Sequence, residues 1–113
     1  MSKDDAYVLD MLRAAKLARQ FGEECTEQQF LADVKTQSAV LYQLTMLGEA
    51  VRRVSQPFRD AHPDVPWQQM AGLRNRIVHE YDDVDIDRVW EVIRKDLAPL
   101  VAALERIAKP EPK

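Results

Sequence analysis

The stretch RNRIVHEYDDVD, residues 74–85, sets Arg74, Asn75, His79 and Tyr81 within eight residues and then turns acidic. A histidine titrating near neutrality can take up or release a proton. An arginine beside it can grip a phosphate with a fork of donors and stabilise charge as it develops. Asn75 could fix the imidazole or bind a phosphate oxygen. Such a set suits attack of a ribose 2′-hydroxyl on the adjacent phosphodiester, a reaction that needs no metal. At about 100° per residue, Met70, Leu73 and Ile77 form the core stripe of a helix here, with Arg74 and Tyr81 on its shoulder. Asn75 and His79, four residues apart, share a face turned away from that stripe. By spacing alone, that face is either solvated surface or a site.

The elements that must carry these residues are helical. Residues 4–21 show a stripe of Val8, Met11, Leu12, Ala15 and Ala18, which Gly22 is expected to end. Thr26 with Gln29 fits a capping box, opening a helical region to about Ser55 with a break near Asp33. Val40, Leu44, Leu47, Val51 and Val54 follow helical spacing. Leu41 and Gly48 lie on a second face, and Tyr42 and Met46 on a third. A helix apolar nearly all round is covered on several sides, so it is expected to be central in the bundle, at a dimer interface, or both. Glycine inside a helix costs about 1 kcal/mol against alanine, so Gly48 predicts a close helix contact.

QPFRDAHPDVPW reads as a connection, with Pro66 suited to the first turn of the helix that begins near Trp67. A last helix is expected from Asp85, a good N-cap, along Ile86, Trp90, Ile93, Leu97, Leu100, Leu104 and Ile107. Pro99 should bend it. The expected architecture is an all-α bundle of four to five helices. It forms one domain over residues 1–108, with a frayed tail at 109–113.

Bulk properties agree and narrow the function. The chain has 113 residues, 46% hydrophobic and 31% charged, and only three glycines, which favours helices over a many-stranded sheet. A net charge of −3 excludes a generally basic nucleic-acid binder, so any RNA contact must rest on a local positive patch. Cys25 is the only cysteine, so no intrachain disulfide can form. No run of about 18 apolar residues could span a membrane, and MSKDD is no signal peptide. A soluble cytoplasmic protein is expected.

The remaining candidates have plainer uses. Trp67 and Trp90 sit at core spacing, His62 in a proline-flanked loop, and Cys25 reads as a small apolar residue near a helix start. Arg52, Arg53 and Arg59 either widen an RNA-binding patch or solvate a helix end. Asp83, Asp85 and Asp87 start like a calcium loop. The required glycine is missing, however, and Arg94 stands where the closing glutamate belongs. His79-Glu80 lacks the second histidine of a zinc helix. No metal and no cofactor is expected. Capping and the helix dipole account for most of the acidic run 80–87.

The run Arg74-x-x-x-x-His79-x-Tyr81 resembles the signature of HepT-type toxins, ribonucleases of the HEPN superfamily. The blocks LGEAVRRVS (47–55), HPDVPWQQMAGLRNRIVHEYDDVD (62–85) and VWEVIRKDLAPL (89–100) resemble that family in order, over most of the chain. The resemblance implies a helical homodimer dimerising through its long helices, encoded beside a small MntA-like nucleotidyltransferase antitoxin. It implies that Arg74 and His79 carry cleavage of an RNA substrate, supported by Asn75 and Arg76. Tyr81 is then the residue the antitoxin adenylylates. All of these positions are filled here.

Overall fold

The structure, a computed structural model, describes residues 1–109. From residue 110 on, the tail expected to fray lies outside the described residues. Helix α1, Lys3–Glu23, opens on a capping box. The Ser2 hydroxyl accepts from the Asp5 N–H at 3.0 Å, and the Asp5 carboxylate accepts from the Ser2 N–H at 3.2 Å. Val8, Met11, Ala15 and Ala18 are buried, as their spacing requires. Gly22 is not the helix stop the sequence implied, because α1 runs one residue past it without a left-handed turn. It is a packing glycine: a β-carbon there would lie 2.2 Å from Ile93 Cγ2.

Thr26 and Gln29 form the expected capping box for α2, Glu27–Ala32. Asp33 supplies the expected break. It ends α2 and caps α3, Val34–Arg53, accepting from the Thr36 N–H at 3.2 Å. The Gln37 amide then donates to the Phe30 and Leu31 carbonyls at the end of α2, the first of which also accepts from the Asp33 N–H. The segment after α3 is more ordered than a plain connection. Ser55 caps a short helix, α4 (Gln56–Ala61), and Pro57 sits in its first turn, where no N–H is required. Sequence reading missed the long-range anchor of that turn. The backbone N–H and hydroxyl of Ser55 both donate to the Asp4 carboxylate, at 2.8 and 2.7 Å.

Pro66 stands at the N-cap of α5, Trp67–His79, one residue earlier than expected. A 3-10 turn, Tyr81–Asp83, leads to Asp85, which caps α6 (Ile86–Glu91) by accepting from the Arg88 N–H at 3.3 Å. A π-helical turn, Val92–Asp96, joins α6 to α7, Leu97–Ile107. Here the Leu97 N–H reaches back five residues to the Val92 carbonyl. Pro99 has no N–H for the Lys95 carbonyl, and its ring crowds that turn. The widened π turn just upstream is where the helical register loosens to admit it.

Four helical runs therefore build the bundle among the described residues: α1, α3, α5 and the α6–α7 run, with α2 and α4 as six-residue connections. The expected all-α bundle is what forms. Helix α3 is central, packed on α1 along one side and α5 along another, while α7 packs on α1. Phe30, Met11, Leu44, Leu47 and Leu104 are completely buried in the core. Both tryptophans belong to it. Trp67 donates its indole N–H to the His62 carbonyl at 2.9 Å. Trp90 lies 5.2 Å from Phe30, with the Arg94 guanidinium 4.5 Å above its ring. No helix among the described residues is long and apolar enough to cross a membrane.

Candidate active site

Helix α5 carries the motif because its apolar stripe, with Met70 and Ile77 buried, fixes which way the other residues turn. Arg74 faces α3 and is held there at two levels. Its stem lies across Gly48, where an added β-carbon would sit 2.1 Å from Arg74 Cβ and 2.6 Å from its Cγ. The close contact expected of Gly48 is this one. Its head meets the next residue along α3: Nε donates to Glu49 Oε1 at 2.8 Å, and Nη2 donates to the same oxygen. The third guanidinium nitrogen, Nη1, donates to the Asn75 side-chain carbonyl at 3.1 Å.

The pairing is partly shielded, with 15% of the Arg74 side chain and 30% of the Glu49 side chain exposed. Hydrogen bonding from Arg74 holds the Glu49 carboxyl below its ordinary value, and the Arg74 charge, with those of Arg52 and Arg53, adds to the effect. A guanidinium has five N–H donors. Three are engaged here, leaving one on each terminal nitrogen for an anion.

Glu49 is the site residue that sequence reading missed. It stands in the block LGEAVRRVS, 25 positions from Arg74. The available signal was an acid flanked by the apolar residues of α3, one residue after a helical glycine. Asn75 has a structural role beside the uses expected of it. It braces Arg74, and no hydrogen bond joins its side chain to His79 among the described residues.

His79 ends α5 and is exposed, as are Asn75, Arg76 and Tyr81. Its side chain has no hydrogen-bond or ion-pair partner among the described residues. Arg74 and His79 leave the helix about 140° apart, on opposite flanks of Asn75. One chain therefore places the two on one short helix but does not join them in a direct contact. Tyr81 lies past the end of α5 in the 3-10 turn, 55% exposed. Glu80, Asp82, Asp83, Asp85 and Asp87 are all exposed, and Asp85 does the capping expected of the run.

Of the other candidates, Arg59 is structural, donating through Nε and Nη2 to the Val54 carbonyl at the end of α3. Arg52 lies 3.8 Å from Glu49. The half-buried Cys25 thiol contacts the Gly22 carbonyl, and burial raises its pKa. Among the described residues, no group of three or more His, Cys, Asp or Glu stands close enough together to hold a metal ion.

This geometry can be set beside known proteins. Residues 11–107 match the model of the family described as Ribonuclease HepT-like. The probable ribonuclease HepT of Thermococcus cleftensis is 34% identical over 103 residues, covering 91% of this chain and 94% of its own. Two candidate RNases of Methanocaldococcus jannaschii are 33% and 32% identical, covering 96% and 93% of this chain and 92% and 98% of theirs. No solved structure gives a significant match. With a family match along nearly its whole length, and a relative 34% identical over 91% of it, the chain belongs to the HepT-like ribonuclease family.

Proposed function

We propose that this chain is an endoribonuclease that works without a metal, as the toxin partner of a small nucleotidyltransferase antitoxin, in the cytoplasm. One observation carries the reading: in a chain of this family, the Arg74-x-x-x-x-His79 pair lies on one helix with the arginine already fixed by Glu49 and Gly48. Neutral His79 takes the proton of a ribose 2′-hydroxyl as the 2′-oxygen bonds to the adjacent phosphorus. The bond to the 5′-oxygen breaks, and that oxygen picks up a proton. The products are a 2′,3′-cyclic phosphate and a 5′-hydroxyl. Arg74 offers its two remaining N–H donors to the phosphate oxygens as charge builds there, and Arg76 and Asn75 support the strand.

A two-fold homodimer through the long helices would set two copies of the motif along one cleft. That arrangement supplies a second histidine, which can protonate the leaving oxygen. The antitoxin silences the site by transferring AMP from ATP to the Tyr81 hydroxyl, releasing pyrophosphate. The added phosphate then competes with RNA for the arginine's donors.

One observation favours a second reading. Three of the five Arg74 donors are already satisfied within the chain, and His79 makes no contact with that residue. A non-catalytic helical module that binds a nucleotidyltransferase or a nucleotide through the same surface would look like this. Expression in a bacterial host separates the two. Growth arrest that His79→Ala abolishes, with the circular dichroism and melting of the variant unchanged, supports the ribonuclease. Equal growth effects of parent and variant, or none from either, support the binding module.

A further inference from the structure

The bundle is not closed on every side. Between α5 and the α6–α7 run a cleft of about 520 Å³ opens, within the range of small-ligand sites. Its floor is apolar, with Met70, Leu73, Leu97 and Leu100. Its rim is polar: the amides of Gln68 and Gln69 stand on the α5 side, Arg76 beside them, and Arg88 and Lys95 across the opening. Arg88 is paired with Glu91, and the rim acid Asp64 with Arg106. Arg76 and Lys95 have no ion-pair partner among the described residues, and Asp96 is the one other acid lining the cleft.

Gly72 also lines this opening. The other two glycines are explained inside the chain, by Ile93 against Gly22 and by Arg74 against Gly48. Nothing lies within 4 Å of a β-carbon built on Gly72, and its backbone is ordinary helix. No neighbour among the described residues requires the space beside it. By helical position, Gly72, Arg76 and His79 follow one edge of α5 at steps of four and three residues. The cleft and the proposed proton carrier therefore share a side of the helix.

We propose that this cleft is a nucleobase subsite, holding the base of an RNA strand next to the cut. The proposal rests on the ribonuclease reading for the strand's position, though not for the cleft's chemistry. An apolar floor suits the faces of a base. The glutamine amides can pair with its edge, and Arg76 and Lys95 suit the phosphates on either side. An amphipathic protein segment would use the floor, but it gives no reason for unpaired cations on both rims, Arg76 on α5 and Lys95 opposite.

The test uses the full chain and a non-cleavable 2′-deoxy oligonucleotide, followed by NMR. The expected result is shifts at the Gly72 amide and at the Met70, Leu73 and Leu100 methyls. Gly72→Leu fills the mouth from open space. It is expected to melt no lower than the parent, yet to bind the oligonucleotide at least tenfold more weakly and to lose base preference beside the cut. Lys95→Ala should reduce the log–log salt slope of binding by about 0.7–1.

Adenosine monophosphate, tested in parallel, should shift the same signals with lower affinity. Tighter binding of the mononucleotide than of the oligonucleotide would overturn the assignment to a strand. Unchanged binding and base preference in Gly72→Leu would overturn the subsite, as would cleft signals that move only with protein concentration, the mark of a second copy. The two readings fail separately. RNA cleavage that depends on His79 beside a silent cleft sinks the subsite alone. A responsive cleft in a chain that cuts no RNA sinks the ribonuclease alone.

Discussion

Arg74 crosses α3 over Gly48, so closely that a β-carbon at position 48 would lie 2.1 Å from Arg74 Cβ. The atoms met are the root of the side chain, which cannot swing aside, so Gly48→Ala must push α5 off α3. Overpacking of this kind typically costs about 1–3 kcal/mol, against about 1 kcal/mol regained from helix propensity. Gly48→Ala should lower the melting temperature by a few degrees and cut RNA cleavage by more than its folded fraction falls. Gly72→Ala, built into open space, should melt at or above the parent. Calorimetry of the two variants checks both signs.

Glu49 accepts two of Arg74's donors, and its carboxyl is held below the ordinary glutamate range by them. A folded-state pKa below the unfolded one gives stability that is present above the unfolded value and is lost as pH falls through the folded value. Glu49→Gln should therefore be less stable than the parent at neutral pH. The difference should shrink as the solution is acidified below the ordinary glutamate range. Denaturant melts across that range test the sign, and a gap that widens in acid would refute it. With Arg74 no longer held, cleavage at neutral pH should fall with the fold intact.

Cleavage by 2′-hydroxyl attack makes a definite product. RNA cut by the purified chain should carry a 2′,3′-cyclic phosphate, in excess chelator as well as without it. A substrate with a single 2′-deoxy sugar at the cut should resist. Mass spectrometry of the fragments decides, and inhibition by chelator would rule the mechanism out.

Tyr42 and Met46 are 60% and 37% exposed on α3, in line with Glu49 at helical steps of four and three residues. Such apolar residues beside the Arg74 brace fit a two-fold interface between copies. Sedimentation should show a dimer at micromolar concentration. Tyr42→Glu with Met46→Glu should give a folded monomer with little cleavage. A parent that sediments as a clean monomer would exclude the dimer.

Tyr81 stands exposed in a three-residue 3-10 turn, with no side-chain hydrogen bond among the described residues, open to a modifying enzyme. Coexpression with the cognate nucleotidyltransferase should add whole AMP increments to the peptide that carries it. Tyr81→Phe should remove them and escape silencing. Modification confined to Tyr7 or Tyr42 would refute this role.

Much of the molecule follows from rules that act within one or two helical turns. The capping box at Thr26 and Gln29, the double role of Asp33 and the cap at Asp85 are all local hydrogen bonds, and each forms where the spacing places it. The stripe Met70, Leu73 and Ile77 likewise determines that His79 and Asn75 turn outward on α5. Relationships between distant segments are of another kind. Gly22 looks like a helix stop until Ile93, 71 positions on, is seen to occupy its missing β-carbon.

Ser55 ties to Asp4 across 51 residues, and that tie anchors the start of α4, a helix the connection did not announce. The partner of Arg74 depended on how α5 crosses α3, and no periodicity within either helix encodes that crossing. The open cleft beside Gly72 depended on the same crossing, since α5 packs on α3 and leaves one side of the α6–α7 run uncovered. Helix type and facing are decided by neighbours three and four residues away. Which acid braces the arginine, and where the bundle stays open, are decided by how the packed helices fit.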